Sequence, residues 1–371
     1  MNNYFDHAAS HPPFQEAMDT FVKVSKDYFG NPSSAHEYGT KARSFFNKAK
    51  NEFCTMLNFN DGRLLLTSGG TESNNLVVRG FLKTNPRARL LIAEDVHPSI
   101  WWVRQTFKNQ CDILPLPPNG HINLAHFRKY IHKETSFFCM SHVCNETGFV
   151  HDVEKISQYC GQNGIQMLCD GVQAIGHIPV NMKDIRCNYY TFSAHKFGGP
   201  RGVGGTLLRN ATIEPVFGGG KQEWNLRPGT ENIAGMASMV TALKCSRKIL
   251  QDAERLRCLS KKLYKELKSD FDCILLNSDL MNGLPGLLSI SIPGIKSQIV
   301  VAEMDVEGFA SSAGSACHSE QVTPSRIILA MGRNQIEAMG TLRVSLGIDN
   351  QEKDVELFCN TLIRVIKPNL E

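Results

Sequence analysis

Tyr189-Tyr190-Thr191-Phe192-Ser193-Ala194-His195-Lys196-Phe197-Gly198-Gly199-Pro200 is an apolar run that stops at a polar Ser-x-His-Lys and then at glycines and a proline. A β-favouring run that ends so abruptly reads as a strand, with an amine offered at the rim of its sheet. In open α/β sheets the ligand crevice lies outside the carboxyl ends of the strands. Lys196 therefore stands where chemistry is done. A desolvated lysine with electropositive neighbours is the side chain that forms Schiff bases with carbonyl compounds. A solvated surface lysine after a strand is the ordinary alternative, and the rest of the chain weighs against it.

Comparable apolar runs ending in polar or glycine-rich turns lie at 64–66, 90–93, 137–143, 166–169 and 205–208, with helix-like segments between them. Near-continuous apolar strands alternating with helical patterns predict a mostly parallel sheet covered on both faces. From Ile233 through Met236, Val240, Leu243, Leu250, Leu256 and Leu263 to Leu267, apolar residues keep three- and four-residue spacing without a proline. That spacing predicts one long helix leaving the first unit for a second. Beyond it, residues 287–292 alternate like a half-buried strand, and residues 341–346 are the candidate partner. The expected division is a large domain over 14–250 and a smaller α+β domain built from 1–13 and 251–371.

With 371 residues and 42% hydrophobic content, the chain can bury a sizeable core. A net charge of +4 without a long basic run does not point to nucleic acid as a direct ligand. The twelve cysteines show no CxxC pair and no repeating spacing, which argues for reduced thiols rather than a zinc ribbon or a disulfide scaffold. The N-terminal residues lack the basic and apolar regions of a secretory signal, and no apolar run approaches about 18 residues. A cytoplasmic protein without a membrane segment is expected.

Further polar clusters fall where the strands end. Thr67-Ser68-Gly69-Gly70-Thr71-Glu72 is a Gly-Gly turn opening a helix, whose N–H groups and hydroxyls suit a phosphate; an ordinary capping box would read the same way. Asp170-Gly171-Val172-Gln173 places a carboxylate at a strand end, as partner for a pyridinium N–H or as a helix cap. His97 and Asn145 follow two other strands, and a histidine there suits acid–base work or stacking on a ring. Together these parts suit pyridoxal 5'-phosphate. The pairs His7/His11 and His142/Cys144 have loose metal-ligand spacing but no third ligand, so no metal is expected. Cys317, in Ser311-Ser312-Ala313-Gly314-Ser315-Ala316-Cys317-His318-Ser319, lies among small polar residues and reads as a presented thiol. Arg343 is a lone charge inside an apolar strand and needs a partner, either a bound carboxylate or an internal acid.

Taken in order, these motifs resemble the cysteine desulfurases of the nitrogen-fixation and iron–sulfur-assembly type, within the class V aminotransferase family of pyridoxal-phosphate enzymes. The matches run through Tyr4-Phe5-Asp6, Gly30-Asn31-Pro32-Ser33-Ser34-Ala35-His36, the Gly-Gly turn, Asp170–Gln173, Ser193–Lys196, Arg227-Pro228-Gly229-Thr230-Glu231-Asn232, Cys317, Pro324-Ser325 and Arg343–Gly347, covering nearly the whole chain. The resemblance implies fold type I: a large domain with a mostly parallel seven-stranded sheet, plus a smaller α+β domain. It implies that Lys196 carries the cofactor, that Asp170 pairs with the pyridine nitrogen, and that Gln173 and Asn145 lie near the phenolic oxygen. His97 would stack on the ring and move protons, while Gly70, Thr71, Ser193 and His195 hold the phosphate. Thr230 would reach the site of a second copy in a homodimer. Arg343, Asn145 and Asn31 would bind L-cysteine, and Cys317 would take its sulfur as a persulfide for an acceptor protein. The Ser-Gly-Ser-Ala-Cys pattern with a proline seven residues on resembles class I, the long-loop class. A selenocysteine lyase, another class V aminotransferase and a non-catalytic sulfur-relay subunit are the alternatives.

The chain also departs from the pattern. Where relatives read Gly-Gly-Gly-Gln-Glu-Arg-Gly, it has Gly218-Gly219-Gly220-Lys221-Gln222-Glu223-Trp224-Asn225, with one residue added and Trp224 in place of arginine. It stops soon after Leu346-Gly347, without the longer tail some iron–sulfur-assembly members offer a scaffold. The acceptor, whether for iron–sulfur clusters, tRNA thiolation or DNA modification, is therefore left open.

Overall fold

A computed structural model describes residues 3–210, 212–314 and 323–370. Seven strands form the first sheet: β1 (Arg63–Thr67), β2 (Arg89–Ala93), β3 (Cys111–Leu114), β4 (Thr135–Ser141), β5 (Gln166–Asp170), β6 (Tyr189–Ser193) and β7 (Gly204–Leu208). Their spatial order is β1-β7-β6-β5-β4-β2-β3, and β7 alone runs against its neighbours. Each stretch expected to be a strand is one. The strand not foreseen, β3, is a short edge strand interrupted by Asp112, too brief and too polar to stand out by pattern.

Burial on both faces explains the apolar runs. Tyr189, Tyr190 and Phe192 of β6 are fully buried, each contributing about 2 kcal/mol through apolar area removed from water. Parallel strands point the same way, so β4, β5 and β6 deliver Ser141, Asp170 and Ser193 to a single edge. On β7, Gly204 is required by close approach: a Cβ there would sit 2.6 Å from the Gly69 Cα. That contact seats the Gly-Gly turn beside the end of β6.

The long helix expected over 233–267 is instead three helices, Ile233–Cys245, Arg247–Gln251 and Ala253–Asp270. Polar side chains mark both breaks, and at the first one competes for the backbone. The buried Ser246 hydroxyl donates to the Leu243 carbonyl at 2.8 Å. At the second break Arg255 clamps the Asp252 carboxylate at 2.8 Å and 2.5 Å. Apolar periodicity continues across both interruptions, which is why spacing alone could not find them.

Past these helices a second, antiparallel sheet follows, in the order β10-β11-β9-β8, from β8 (Leu275–Leu276), β9 (Leu287–Ser291), β10 (Ser312–Ala313) and β11 (Thr341–Ser345). The expected partnership of the 287 and 341 strands holds, with Arg343 opposite Ser289. Residues near the N-terminus join this part of the molecule through bridges of Tyr4 to Ala310 and Asp6 to Ser345. Two large buried clusters result. One surrounds the seven-stranded sheet; the other gathers Phe5 with side chains from Ile249 to Ile366. Ile327 is an exception in the later chain, since it packs into the first cluster. Among the described residues no helix is long and apolar enough to cross a membrane.

Candidate active site

At the carboxyl edge of the large sheet lies a cavity of about 500 Å³, walled by Gly70, Thr71, His97, Asn145, Asp170, Gln173, Ser193, His195, Lys196 and Arg343 among others. Ten residues singled out by sequence thus share one space. Gly314 on one side and Thr323 and Pro324 on the other also line it, so the chain on both sides of the Cys317 segment begins and ends at this cavity. Cys317 itself lies outside the described residues.

Each side chain is placed by a local rule. Lys196 ends the short turn Ala194–Lys196 that follows β6, and its ammonium donates to the carbonyls of Ala8 at 2.7 Å and Ala9 at 2.9 Å. Asp170 ends β5; its carboxylate accepts from Val172 N at 3.0 Å and from Asn74 Nδ2 at 2.8 Å. His97 is the N-cap of the helix Pro98–Thr106, and proline at the first helical position suits a backbone that needs no N–H there. The cap is unusual in being a ring: Nδ1 accepts from the Ser99 backbone N–H at 3.1 Å. Burial drives the His97 pKa down. Asp170 opposes that shift, and Lys196 and Arg326 reinforce it.

Arg343 is buried, has an internal acid for a partner and also lines the cavity. Nη2 pairs with Asp6 at 3.0 Å, Nη1 donates to the Asn145 carbonyl at 2.9 Å, and Nε is left without a partner in the cavity wall. Gln173 donates to the Ala8 carbonyl at 2.8 Å, and His195 Nδ1 meets Ser10 Oγ at 3.2 Å. The helix Gly70–Thr84 starts at the cavity, with Ser193 Oγ 3.3 Å from where a Cβ on Gly69 would lie. A Cβ on Gly70 would meet Val172 at 2.6 Å, so the turn closes tightly on the chain after Asp170.

Two expected residues lie elsewhere. Thr230 is exposed and lines a second cavity of about 220 Å³ with Glu223, Arg227 and Glu231. Asn31 is exposed and turns its side chain to its own backbone, accepting from Ser33 N at 2.9 Å. Residues that sequence reasoning did not single out also line the main cavity. Trp101 supports the Arg326 guanidinium 3.9 Å from its ring centre. Glu146, whose pKa burial raises to about 7 against the pull of Ser325, Arg343 and Arg326, sits beside Asn145. Asn74, two residues past the quoted Gly-Gly turn motif, also lines the cavity, and its amide is the signal the sequence offered. Among the described residues no cluster of His, Cys, Asp or Glu could hold a metal.

The family model for class V aminotransferases matches residues 3–358. The chain belongs to that family. It is 30% identical over 373 residues to the cysteine desulfurase IscS of Dictyoglomus turgidum, covering 98% of this chain and 94% of that one. It is also 30% identical over 378 residues to the cysteine desulfurase IscS 1 of Archaeoglobus fulgidus, covering 98% and 97%. Among solved structures, a NifS-like protein superposes with a TM-score of 0.90 at 26% identity, covering 99% of this chain and all of its own.

The cofactor of this family is pyridoxal 5'-phosphate, and the cavity fits it. An amine, a buried carboxylate, a ring at a helix cap and a glycine-opened helix start converge on one space. Lys196 would hold the group covalently, Asp170 would face its ring nitrogen, and Thr71, Ser193 and His195 would hold its phosphate.

Proposed function

We propose that this protein is a cysteine desulfurase, converting L-cysteine to L-alanine and passing the sulfur to the thiol of Cys317 as a persulfide. The observation that carries the reading is that Lys196, Asp170, His97 and Arg343 line a cavity bounded by the residues flanking the Cys317 segment. Bound pyridoxal phosphate supplies an electron sink that makes the substrate's α-proton acidic. The chain's own residues do the rest. Arg343, its Nη atoms committed to Asp6 and Asn145 and its Nε unmet, supplies a rigid cation for the substrate carboxylate. The Lys196 amine takes and returns protons once substrate has displaced it. The thiolate of Cys317 attacks the substrate sulfur; an S–S bond forms as the substrate C–S bond breaks, a proton replaces sulfur on carbon, and the outer sulfur of the persulfide then passes to an acceptor protein's thiol, returning the Cys317 thiolate.

The working unit in this reading is a homodimer in which Thr230 serves the partner's phosphate. Its exposure, in a cavity apart from Lys196, supports that arrangement. The two buried clusters support a large domain over 14–250 and a small one from 1–13 and 251–371.

The test is to mix L-cysteine with the cofactor-loaded protein and with Cys317→Ser, measuring alanine and protein-bound persulfide by mass spectrometry. Both products should form with the first protein, and neither with the second. Alanine formed at the same rate by Cys317→Ser, or a persulfide on another cysteine, overturns the assignment of the thiol.

A further inference from the structure

Asp170 and His97 stand on different elements, yet one chain of hydrogen bonds joins them. Asn74 Nδ2 donates to Asp170 Oδ2 at 2.8 Å and to Ser99 Oγ at 3.0 Å. Asn74 Oδ1 lies 2.7 Å from Thr191 Oγ1, and Ser99 Oγ lies 2.8 Å from His97 Nδ1. Asn74, Ser99 and Thr191 are all buried, so water does not compete for these groups.

The directions follow from the acid at one end and a backbone N–H at the other. A carboxylate only accepts, so the amide group facing Asp170 is the NH₂ and the amide oxygen faces the Thr191 hydroxyl. Ser99 Oγ receives an N–H from Asn74 and lies in reach of His97 Nδ1, to which it can give its own proton or from which it can accept one. The Ser99 backbone N–H points at the same nitrogen. That N–H can only donate, so Nδ1 is an acceptor and carries no proton, and the Ser99 hydroxyl turns its own proton to the same nitrogen. In a neutral imidazole the proton must then be on Nε2.

We propose that Asn74 and Ser99 are positioning residues that hold His97 as a neutral ring with its proton on Nε2, making His97 a hydrogen-bond donor in the desulfurase site rather than its proton carrier. The inference deepens the function proposed above and rests on it. Charging the ring requires a proton on Nδ1, which breaks the bond from the Ser99 N–H and obliges the Ser99 hydroxyl to turn its proton away and accept instead; removing the Nε2 proton leaves an imidazolate. Neither suits a proton shuttle, so transfers fall to the Lys196 amine in the same cavity. The charged groups facing His97 are Asp170, which favours the cationic ring, and Lys196 and Arg326, which oppose it; burial adds to the opposition, and the neutral ring prevails.

The probe is ¹⁵N-histidine NMR of the pyridoxal-phosphate-loaded protein across a pH series, with His97→Gln used to identify the signal. The wild type should show an unprotonated Nδ1 and a protonated Nε2, and should stay neutral below the usual histidine midpoint. Ser99→Ala removes one of the two bonds to Nδ1 and should raise the midpoint by about 0.7 pH unit, the equivalent of one hydrogen bond. Ser99→Thr keeps the hydroxyl and should return the midpoint towards wild type. A proton found on Nδ1, an unchanged midpoint in Ser99→Ala, or a threonine variant that titrates like alanine overturns the proposal. Alanine and persulfide measured on the same samples read the desulfurase assignment separately, because the ring's proton is observed whether or not cysteine turns over.

Discussion

Lys196 shows how far a single residue can be read. An amine after an apolar strand was legible from sequence because strand, polar stop and glycines are all local signals. Its hold on the Ala8 and Ala9 carbonyls was not legible, since those residues lie far away in the chain. Lys196→Ala should lose the visible absorbance of the bound cofactor and any linkage that borohydride can trap. A borohydride-reducible linkage persisting in that variant would move the attachment to another lysine. Arg343 makes the same point about distance. Its place in an apolar strand announced a partner, but both an internal acid and a cavity position were consistent with the sequence. The bridge of Asp6 to Ser345 sets Asp6 beside it, so one guanidinium both pairs with an internal acid and lines the cavity.

At the scale of elements, the departure at Lys221–Asn225 acquires a physical form. Glu223, Trp224 and Asn225 all take positive φ, at 47°, 57° and 64°. Asn225 stands where the family pattern has glycine, and asparagine is among the residues that best tolerate this region. The turn swings Glu223 inward, where it pairs with Lys50 Nζ at 2.8 Å and accepts from Leu66 N at 3.1 Å. Trp224 covers the ammonium, 4.1 Å from its ring centre. Burial lowers the Lys50 pKa and raises that of Glu223, with each partner opposing the other's shift. Lys50→Met leaves a buried acid uncompensated and should cost about 3 kcal/mol, seen as a lower thermal midpoint. That acid's pKa then stands still higher in the folded state than in the unfolded chain. The folded state holds its proton while the unfolded chain releases it, so the variant should lose stability as pH rises from acid towards neutrality. Adding Glu223→Gln should recover part of the loss and flatten the pH dependence. If the single variant melts like wild type, the pair does not anchor this turn. None of this was readable from composition or spacing, because Lys50 and Glu223 meet only in the fold.

For the whole molecule, the mostly parallel sheet, the pairing of the 287 and 341 strands and the site at the strand ends were foreseeable, because parallel strands must collect their carboxyl ends on one edge; the strand order was not. What a single chain cannot announce is which of its residues serve another copy. Thr230 is exposed, while Lys196 lines the main cavity, so the proposed dimer assigns them to different sites when both come from one chain. That division has a measurable consequence. In a mixed dimer of one Lys196→Ala chain and one Thr230→Ala chain, the site built on the first chain carries both defects. The site built on the second chain keeps its own Lys196 and borrows an intact Thr230. Each homodimeric variant should be impaired, the lysine variant completely, whereas mixed dimers prepared with two affinity tags should regain about half the alanine production of wild type per dimer, one sound site in two. If Thr230 served its own chain's site, every site in the mixture would carry one defect, and the mixed dimer would reach only the average of the two parents. Activity no higher than that average would detach Thr230 from the partner's site.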